Sequence, residues 1–143
     1  MQPRVGVAVL VIRDGKFLMG QRRGSHGEGT WSAPGGWIDY HETYQQAAER
    51  EVLQETGMRV KNVQFVGITN NIFTDNPIHS LTVWQTCEWV SGEPTITEPD
   101  KFIDQRWATL ETLPSPLFLP WDELLKSEFV PEIRKRVAAT KRQ

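Results

Sequence analysis

The pattern of apolar and polar positions begins with two β-rich segments joined by a tight turn. The segment "RVGVAVLVI" (residues 4–12) is apolar at nearly every position, and "KFLMGQRR" (residues 16–23) becomes polar at its end. Asp14 and Gly15 lie between them, and Asp-Gly is typical of two-residue hairpin turns. A continuous apolar run predicts a strand that is buried on both faces. We therefore expect a β-hairpin with a fully buried first strand.

A glycine-rich segment and a clear helix follow the hairpin. Residues 24–37 include five glycines and one proline, a composition that predicts a structured loop. Thr43 and Gln46 have the spacing of a capping box, and Gly57 suits the C-terminal end of a helix. We therefore expect a helix over residues 43–56, which also contains two adjacent alanines.

The second half of the chain alternates between strand-like and helical patterns. The segments that predict strands are residues 60–73, 80–90 and 104–110, and those that predict helices are 122–126 and 132–139. A polar loop, "TITEPD", separates the last two strands. Strands on both sides of a central helix, with more helix at the end, indicate a mixed α/β domain. Periodicity alone supports no finer topology.

Length, charge and hydrophobic content limit the class of protein. The chain has 143 residues, 38% of them hydrophobic and 24% charged, and its formal net charge is −2. These values fit one compact domain over residues 1–143. A slightly acidic chain does not hold nucleic acid by bulk electrostatics, so no stable nucleic-acid partner is expected. An anionic ligand would need local groups or a metal.

The cysteine and hydropathy patterns bear on location. Cys87 is the only cysteine, which excludes an internal disulfide and favours a reducing compartment. Its strand-like surroundings predict a small buried hydrophobe. The longest apolar run, residues 5–12, is far shorter than the roughly 20 residues of a membrane span. The N-terminus also lacks a signal-peptide pattern, so we expect a cytoplasmic protein without a membrane partner.

The predicted helix presents a cluster of oxygen-bearing side chains. At 100° per residue, Glu51, Gln54 and Glu55 share one face of the helix. Two carboxylates four residues apart repel each other unless a positive group lies between them. Hard oxygen ligands on one face suit Mg²⁺ or Mn²⁺. By itself, the pattern favours a solvated helix face with Arg50 as an ion-pair partner, because such carboxylate pairs are common on surface helices.

The wider spacing favours the metal site. From Gly36 the chain gives glycine, five residues, Glu42, seven residues and "REVLQETGM" (residues 50–58). This order closely resembles the box of the Nudix hydrolase family over residues 36–58. The single departure is Gln54, where the family pattern has the first glutamate of a pair. The preceding "WSAPGG" also resembles the Trp-x-x-Pro-Gly-Gly segment of many members.

The resemblance implies a fold and a type of reaction. Similar proteins are α/β/α sandwiches with a mixed central sheet, in which the box forms a loop–helix–loop. They hydrolyse a nucleoside diphosphate linked to another group, with Mg²⁺, or Mn²⁺ as an alternative, and an activated water. The metal neutralises the diphosphate and lowers the pKa of bound water.

The resemblance also implies roles for individual residues. Glu51 and Glu55 match metal ligands of the family, and the backbone carbonyl of Gly35 matches a further ligand. Glu51 or a downstream acid is the general base in different members, and Gln54 occupies the position of a third catalytic glutamate. The positions that brace the loop and the helix are Gly36, Glu42, Arg50 and Gly57.

Two arginines outside the box are candidates for substrate binding. Arg22 and Arg23 end the second predicted strand beside the glycine-rich loop, and the fork of donors on arginine suits phosphate. Either one is as readily an exposed residue at a strand end. The segment "QRRGSHGEGTW" resembles small nucleoside-triphosphate diphosphatases of the MutT type, which favours Arg22.

An acid with two competitors and two aromatic residues complete the candidates. Glu98 is a candidate for a further metal ligand, with Asp100 and Glu93 as competitors. Phe118 is a candidate for stacking on a base, and core packing is its alternative. Trp31 is expected to anchor the glycine-rich loop.

Gln54 is expected to weaken the metal site without removing it. An amide keeps a coordinating oxygen but lacks the negative charge that hard cations prefer. We expect a primary site at Glu51 and Glu55 and weaker binding of any additional metal.

The leading functional hypothesis is a nucleotide diphosphatase that converts (d)NTPs to the monophosphate and pyrophosphate. A nucleotide-sugar hydrolase is the second enzymatic hypothesis, and a nucleotide-binding or regulatory module that lost catalysis through Gln54 is the third. Similar proteins commonly dimerise, and the sequence leaves monomer and homodimer open.

Overall fold

The protein is described by a computed structural model over residues 2–74 and 77–141. Its strands are β1 (Arg4–Arg13), β2 (Lys16–Arg22), β3 (Trp31–Ser32), β4 (Gly35–Trp37), β5 (Arg59–Ile72), β6 (His79–Ser91) and β7 (Phe102–Ala108). Its helices are α1 (Tyr44–Thr56), α2 (Leu119–Leu125) and α3 (Val130–Ala139). Within these two described ranges, no helix has the length and apolar character needed to cross a membrane.

The strands form one mixed sheet in the order β3-β2-β1-β6-β5. In addition, β4 pairs with the N-terminal half of β1, and β7 pairs with β2. β1 and β6 run parallel, and the other pairs are antiparallel. The predicted hairpin is confirmed, with Arg13 opposite Lys16 in the register of β1 and β2. Asp14 and Gly15 form its turn with φ angles of 52° and 78°, the positive values that this type of turn requires.

Helices cover both faces of the sheet, as predicted. Side chains of β1 alternate between two cores, which confirms that this strand is buried on both faces for most of its length. The core between the sheet and helices α2 and α3 includes Leu10, Ile12, Trp84, Trp121, Leu124 and Ile133. The core between the sheet and α1 includes Val9, Val11, Ala48, Val52, Met58 and Cys87. The architecture is an α/β/α sandwich, and Cys87 is the small buried hydrophobe that its context predicted.

The capping signals of α1 are confirmed. Thr43 is the N-cap residue, and it exchanges both hydrogen bonds of the capping box with Gln46. Gly57 ends the helix in the left-handed conformation at φ 77°. The predicted starts of the last two helices were too late, because Pro120 and Pro131 lie in their first turns. Proline is tolerated there since the first N–H groups have no partner within the helix.

The prediction of a loop over residues 24–37 was wrong at its C-terminal end. β3 and β4 form there because β2 and β1 offer them distant pairing partners, and strands of two or three residues show no periodicity of their own. Trp31 is buried and anchors this segment. Its N–H donates to the carbonyl of Pro116 at 2.8 Å, and its carbonyl accepts from the N–H of Phe118 at 2.9 Å.

Candidate active site

Two glutamates of α1 lie against the consecutive glycines of β4. One carboxylate oxygen of Glu55, which is 5% exposed, accepts a hydrogen bond from the N–H of Gly35 at 2.9 Å. A Cβ atom at Gly36 would lie 2.7 Å from the carboxylate carbon of Glu51, and one at Gly35 would lie 2.1 Å from the carbonyl oxygen of Val7. Glycine at both positions therefore allows the helix, β4 and β1 to approach this closely.

The carboxylates lie in an environment that disfavours their negative charge. Burial, together with the neighbouring charges of Glu51 and Glu98, raises the pKa of Glu55 to about 8, and the hydrogen bond from the Gly35 N–H opposes this rise. Burial also raises the pKa of Glu51, against the opposing effect of the guanidinium of Arg50. A bound cation would stabilise the ionised form of both groups.

The carboxylates of the cleft fit a divalent metal that takes some of its ligands from the protein and the others from water and substrate. In the part of the chain that the structure describes, no three His, Cys, Asp or Glu residues form a cluster able to hold a metal by themselves. Mg²⁺ is commonly held by one or two carboxylates, with water and phosphate oxygens completing its shell. Glu51 and Glu55, two carboxylates that line one cleft, match that requirement.

Glu98 lies near this pair, and Glu93 is held elsewhere. The carboxylate of Glu98 accepts from the ammonium of Lys101 at 3.2 Å, and its charge raises the pKa of Glu51 and Glu55. Glu93 instead pairs with the guanidinium of Arg13 at 3.1 Å. Of these two acids, the structure favours Glu98 as a neighbour of the site.

The segment that carries Glu98 is fastened to the C-terminal end of α1. The Thr95 N–H donates to the carbonyl of Thr56 at 2.9 Å, and the Thr97 hydroxyl donates to the carbonyl of Gln54. These carbonyls lie in the last turn of the helix, where no intrahelical partner exists. The predicted polar loop is therefore tied to the helix that carries the carboxylates.

Arg50 joins the loop after β4 to α1. Its guanidinium donates to both carboxylate oxygens of Glu42 at 2.7 and 2.9 Å and to the carbonyl of Trp37 at 3.2 Å. It also donates to one oxygen of Glu51 at 2.6 Å. The hydrogen bonds from Arg50 hold the pKa of Glu42 at about 2. These contacts connect the loop after β4 to the helix through one guanidinium.

Gln54 lies at the exposed side of the cluster. Its amide oxygen accepts from the Arg50 guanidinium at 3.3 Å, whereas the cleft is lined by Glu51 and Glu55. The face that the three residues were expected to share is therefore split. Two carboxylates point into the cleft, and the amide extends the network of Arg50.

The cleft has a volume of about 490 Å³ and brings the predicted substrate residues together. Arg22, Arg23 and Phe118 all line it, as do Glu51 and Glu55. The guanidinium carbon of Arg22 lies 4.0 Å from the ring centre of Phe118. Burial lowers the pKa of Arg22, and the charge of Glu55 opposes this effect. A basic group thus faces the carboxylates across one cleft.

Sequence reasoning missed part of the cleft. Lys101 lines it beside Arg23, whose N–H donates to the Lys101 carbonyl at 2.7 Å. His26 also lines it, with its ring centre 4.6 Å from that of Phe73 and 5.2 Å from that of Phe118. No local sequence signal marks these residues, because distant segments bring them together. His79 lies outside the cleft and is hydrogen-bonded to Asn70 at 2.6 Å.

The fold and the cleft together define a class of protein. They combine an α/β/α sandwich with a loop–helix–loop that sets two carboxylates against consecutive glycines and opposite an arginine. The family model of the NUDIX domain matches residues 2–132. The chain belongs to the NUDIX family, which confirms the resemblance found in its sequence.

The chain is similar to proteins that have several different activities. It is 33% identical over 109 residues to the NAD-capped RNA hydrolase NudC of Pseudomonas aeruginosa, across 76% of this chain and 34% of that protein. It is 30% identical over 107 residues to the oxidized purine nucleoside triphosphate hydrolase of Danio rerio, across 74% and 66%. The MutT NUDIX hydrolase from Burkholderia pseudomallei has a TM-score of 0.77 at 32% identity, across 82% and 91%. The chain thus spans about a third of the NudC relative's length.

Proposed function

We propose that the protein is a metal-dependent hydrolase that cleaves a nucleoside diphosphate linked to another group. The observation that carries this proposal is the convergence of Glu51, Glu55 and Arg22 on one cleft beside the glycines of β4. The finer assignment is a (d)NTP diphosphatase that releases nucleoside monophosphate and pyrophosphate. The similarity to a purine nucleoside triphosphate hydrolase and to a MutT protein supports it.

The proposed role of each residue follows from its chemistry. Glu51, Glu55 and the carbonyl of Gly35 would hold Mg²⁺ or Mn²⁺, with Glu98 as an additional ligand. When bound, the metal neutralises diphosphate charge and makes water more acidic. Arg22 and Arg23 would hold phosphate oxygens, since arginine donates through a planar fork. Glu51 or Glu98 would accept the proton of the attacking water at a carboxylate oxygen.

Arg50 would act on this reaction through Glu51. Its hydrogen bond of 2.6 Å occupies one oxygen of the Glu51 carboxylate and leaves the other for the metal or for a proton. Gln54 accepts from the same guanidinium, so its amide influences Glu51 through Arg50. We therefore assign Gln54 a modest effect on activity, smaller than that of either cleft carboxylate.

A substrate panel with Mg²⁺ and Mn²⁺ tests the proposal. Wild type is expected to release pyrophosphate from nucleoside triphosphates in a metal-dependent manner, with the monophosphate identified by chromatography. Gln54→Glu is expected to raise metal affinity by at most about 10-fold, the lower end of the range for groups around a metal site. The matched control is Glu49→Gln, on the exposed side of α1, which should leave activity unchanged.

Two outcomes would contradict this assignment. Absence of turnover in wild type, with turnover restored by Gln54→Glu, would favour a nucleotide-binding or regulatory module. Turnover of nucleotide sugars in preference to triphosphates would favour the alternative hydrolase activity.

A cytoplasmic location and a homodimer remain further proposals. The exposed side chains of Phe65, Ile68 and Ile72 on β5 support the homodimer, because this strand lies at an edge of the sheet. Light scattering of the purified chain should then give twice the monomer mass, and a monomer at micromolar concentration would contradict it.

A further inference from the structure

The cleft continues past the carboxylates onto a polar floor that the proposed chemistry does not use. Ser80 and Thr82 of β6 line the cleft, and both are buried. The amide nitrogen of Asn71 on β5 donates to the hydroxyl oxygen of Ser80 at 3.1 Å and to that of Thr82 at 2.8 Å. The three side chains therefore share the face of the sheet that lies under α2.

Asn71 sets the direction in which the two hydroxyls donate. Both hydroxyl oxygens accept from its amide, so each O–H hydrogen must point elsewhere. The side-chain oxygen of the fully buried Asn71 has no hydrogen-bond partner within the described chain. An unsatisfied buried acceptor destabilises a fold, so its presence calls for an explanation beyond packing. Because both hydroxyls accept from Asn71, their O–H hydrogens are directed to another acceptor, and Asn71 is a positioning residue for two donors that line the cleft.

The floor lies at a suitable distance from the carboxylates for one nucleoside. Gly35 lies opposite Ala8 on β1, and Thr82 lies opposite Gly6 on the other side of the same strand. Thr82 and Gly35 are thus separated by two strand spacings across the sheet and by two residues along the strands, which corresponds to about 12 Å. That distance is comparable to the span from a nucleotide's phosphate to the far edge of a purine.

Aromatic side chains line the same cleft. Phe118, Phe73 and His26 form a cluster with ring centres 4.6–5.5 Å apart, and all three line the cleft. A flat two-ring base placed on the floor would stack against such a cluster. Gly6 has no side chain to cover the Thr82 hydroxyl from the neighbouring strand.

We propose that Ser80 and Thr82, held by Asn71, select a nucleobase with two adjacent hydrogen-bond acceptors, namely a 6-oxopurine. Guanine and hypoxanthine present O6 and N7 side by side, whereas adenine has a donor amine in place of O6. This inference rests on the proposed function, because it names the base of the nucleotide that the hydrolase cleaves.

Calorimetric binding of nucleoside monophosphates to the full chain tests the inference without turnover. GMP and IMP should bind with affinities within about 3-fold of each other, since they share O6 and N7. AMP, 7-deaza-GMP and CMP should each bind about 10-fold or more weakly, as loss of one or two hydrogen bonds predicts. Equal affinities for GMP and AMP would overturn the inference.

Matched variants separate recognition from folding. Thr82→Val preserves side-chain shape and should lower GMP affinity about 10-fold while leaving AMP affinity unchanged. Thr86→Val is the control, because Thr86 lies on the same strand and its hydroxyl accepts from Arg136 instead. Ser80→Ala provides a second test if Thr82→Val folds poorly.

A separate variant tests the positioning role of Asn71. Asn71→Asp should lower the ratio of GMP to AMP affinity, because a carboxylate accepts from both hydroxyls. An unchanged ratio in these variants would overturn the inference.

The two proposals fail in distinguishable ways. Hydrolysis of triphosphates without base preference overturns the selection of 6-oxopurines and leaves the hydrolase intact. Selective binding of GMP and IMP without any turnover supports the floor and overturns the hydrolase.

Discussion

Replacing Glu55 with glutamine is expected to lower kcat about 10²- to 10³-fold, the usual cost of removing one preorganised electrostatic group. Glutamine keeps the oxygen that accepts from the Gly35 N–H, so the local hydrogen bond can persist. It lacks the charge that would hold a divalent metal. Pyrophosphate release and metal-induced thermal stabilisation should therefore decline together.

The same substitution should stabilise the metal-free protein at alkaline pH. Burial raises the pKa of Glu55 from 4.5 to about 8. Between these values the folded protein holds a proton that the unfolded chain has released, so wild-type stability falls as pH rises. The change corresponds to at most about 5 kcal/mol. Glu55→Gln removes this dependence.

Urea unfolding in EDTA from about pH 5 to about pH 9 measures the effect. The difference in unfolding free energy between Glu55→Gln and wild type should grow across this interval and level off above about pH 8. The exposed Glu49→Gln should show no such growth. A difference that stays constant with pH would contradict the buried, charge-disfavouring environment of Glu55.

Replacing Arg50 with methionine is expected to destabilise the protein by about 2–4 kcal/mol, because two partly buried carboxylates lose their partner. Activity should fall as well, since Arg50 orients Glu51. Arg50→Lys should recover only part of the stability, because an ammonium lacks the planar fork that binds both oxygens of Glu42.

Acid unfolding provides an independent measure of the Arg50 network. The pKa of Glu42 is held at about 2, below its ordinary 4.5, so this pair stabilises the fold above about pH 4.5 and its effect is lost toward pH 2. Arg50→Met should flatten that part of the pH profile. Arg134→Met, which removes an exposed pair with Glu111, is the control and should change stability by less than about 1 kcal/mol. Equal losses in the two variants would contradict the bracing role of Arg50.

Features encoded by neighbouring residues could be predicted from the sequence. The Asp14-Gly15 turn and the capping box of Thr43 each depend on a few adjacent positions. The placement of Glu51 and Glu55 followed from the spacing of the box. β3 and β4 could not be predicted in the same way, because they are too short to show a periodicity and form only by pairing with other strands.

The polar floor of the cleft also could not be predicted from local sequence. Asn71, Ser80 and Thr82 belong to two strands whose mutual register brings them together, and each is an ordinary polar residue within its own segment. The separation of the Gln54 side chain from the two carboxylates could not be predicted either. It depends on the hydrogen bond that the Gln54 amide oxygen accepts from Arg50, and helical spacing does not specify that bond.

The hydrogen bonds from Thr95 and Thr97 to the last turn of α1 give the site a mechanical property. These bonds connect the segment that carries Glu98 to the helix that carries Glu51 and Glu55, although the two come from separate parts of the chain. We therefore expect the spacing between these acids to be maintained when the surrounding surface moves. Insertions beyond residue 100 can change the rim of the cleft while the charge distribution at its centre stays the same.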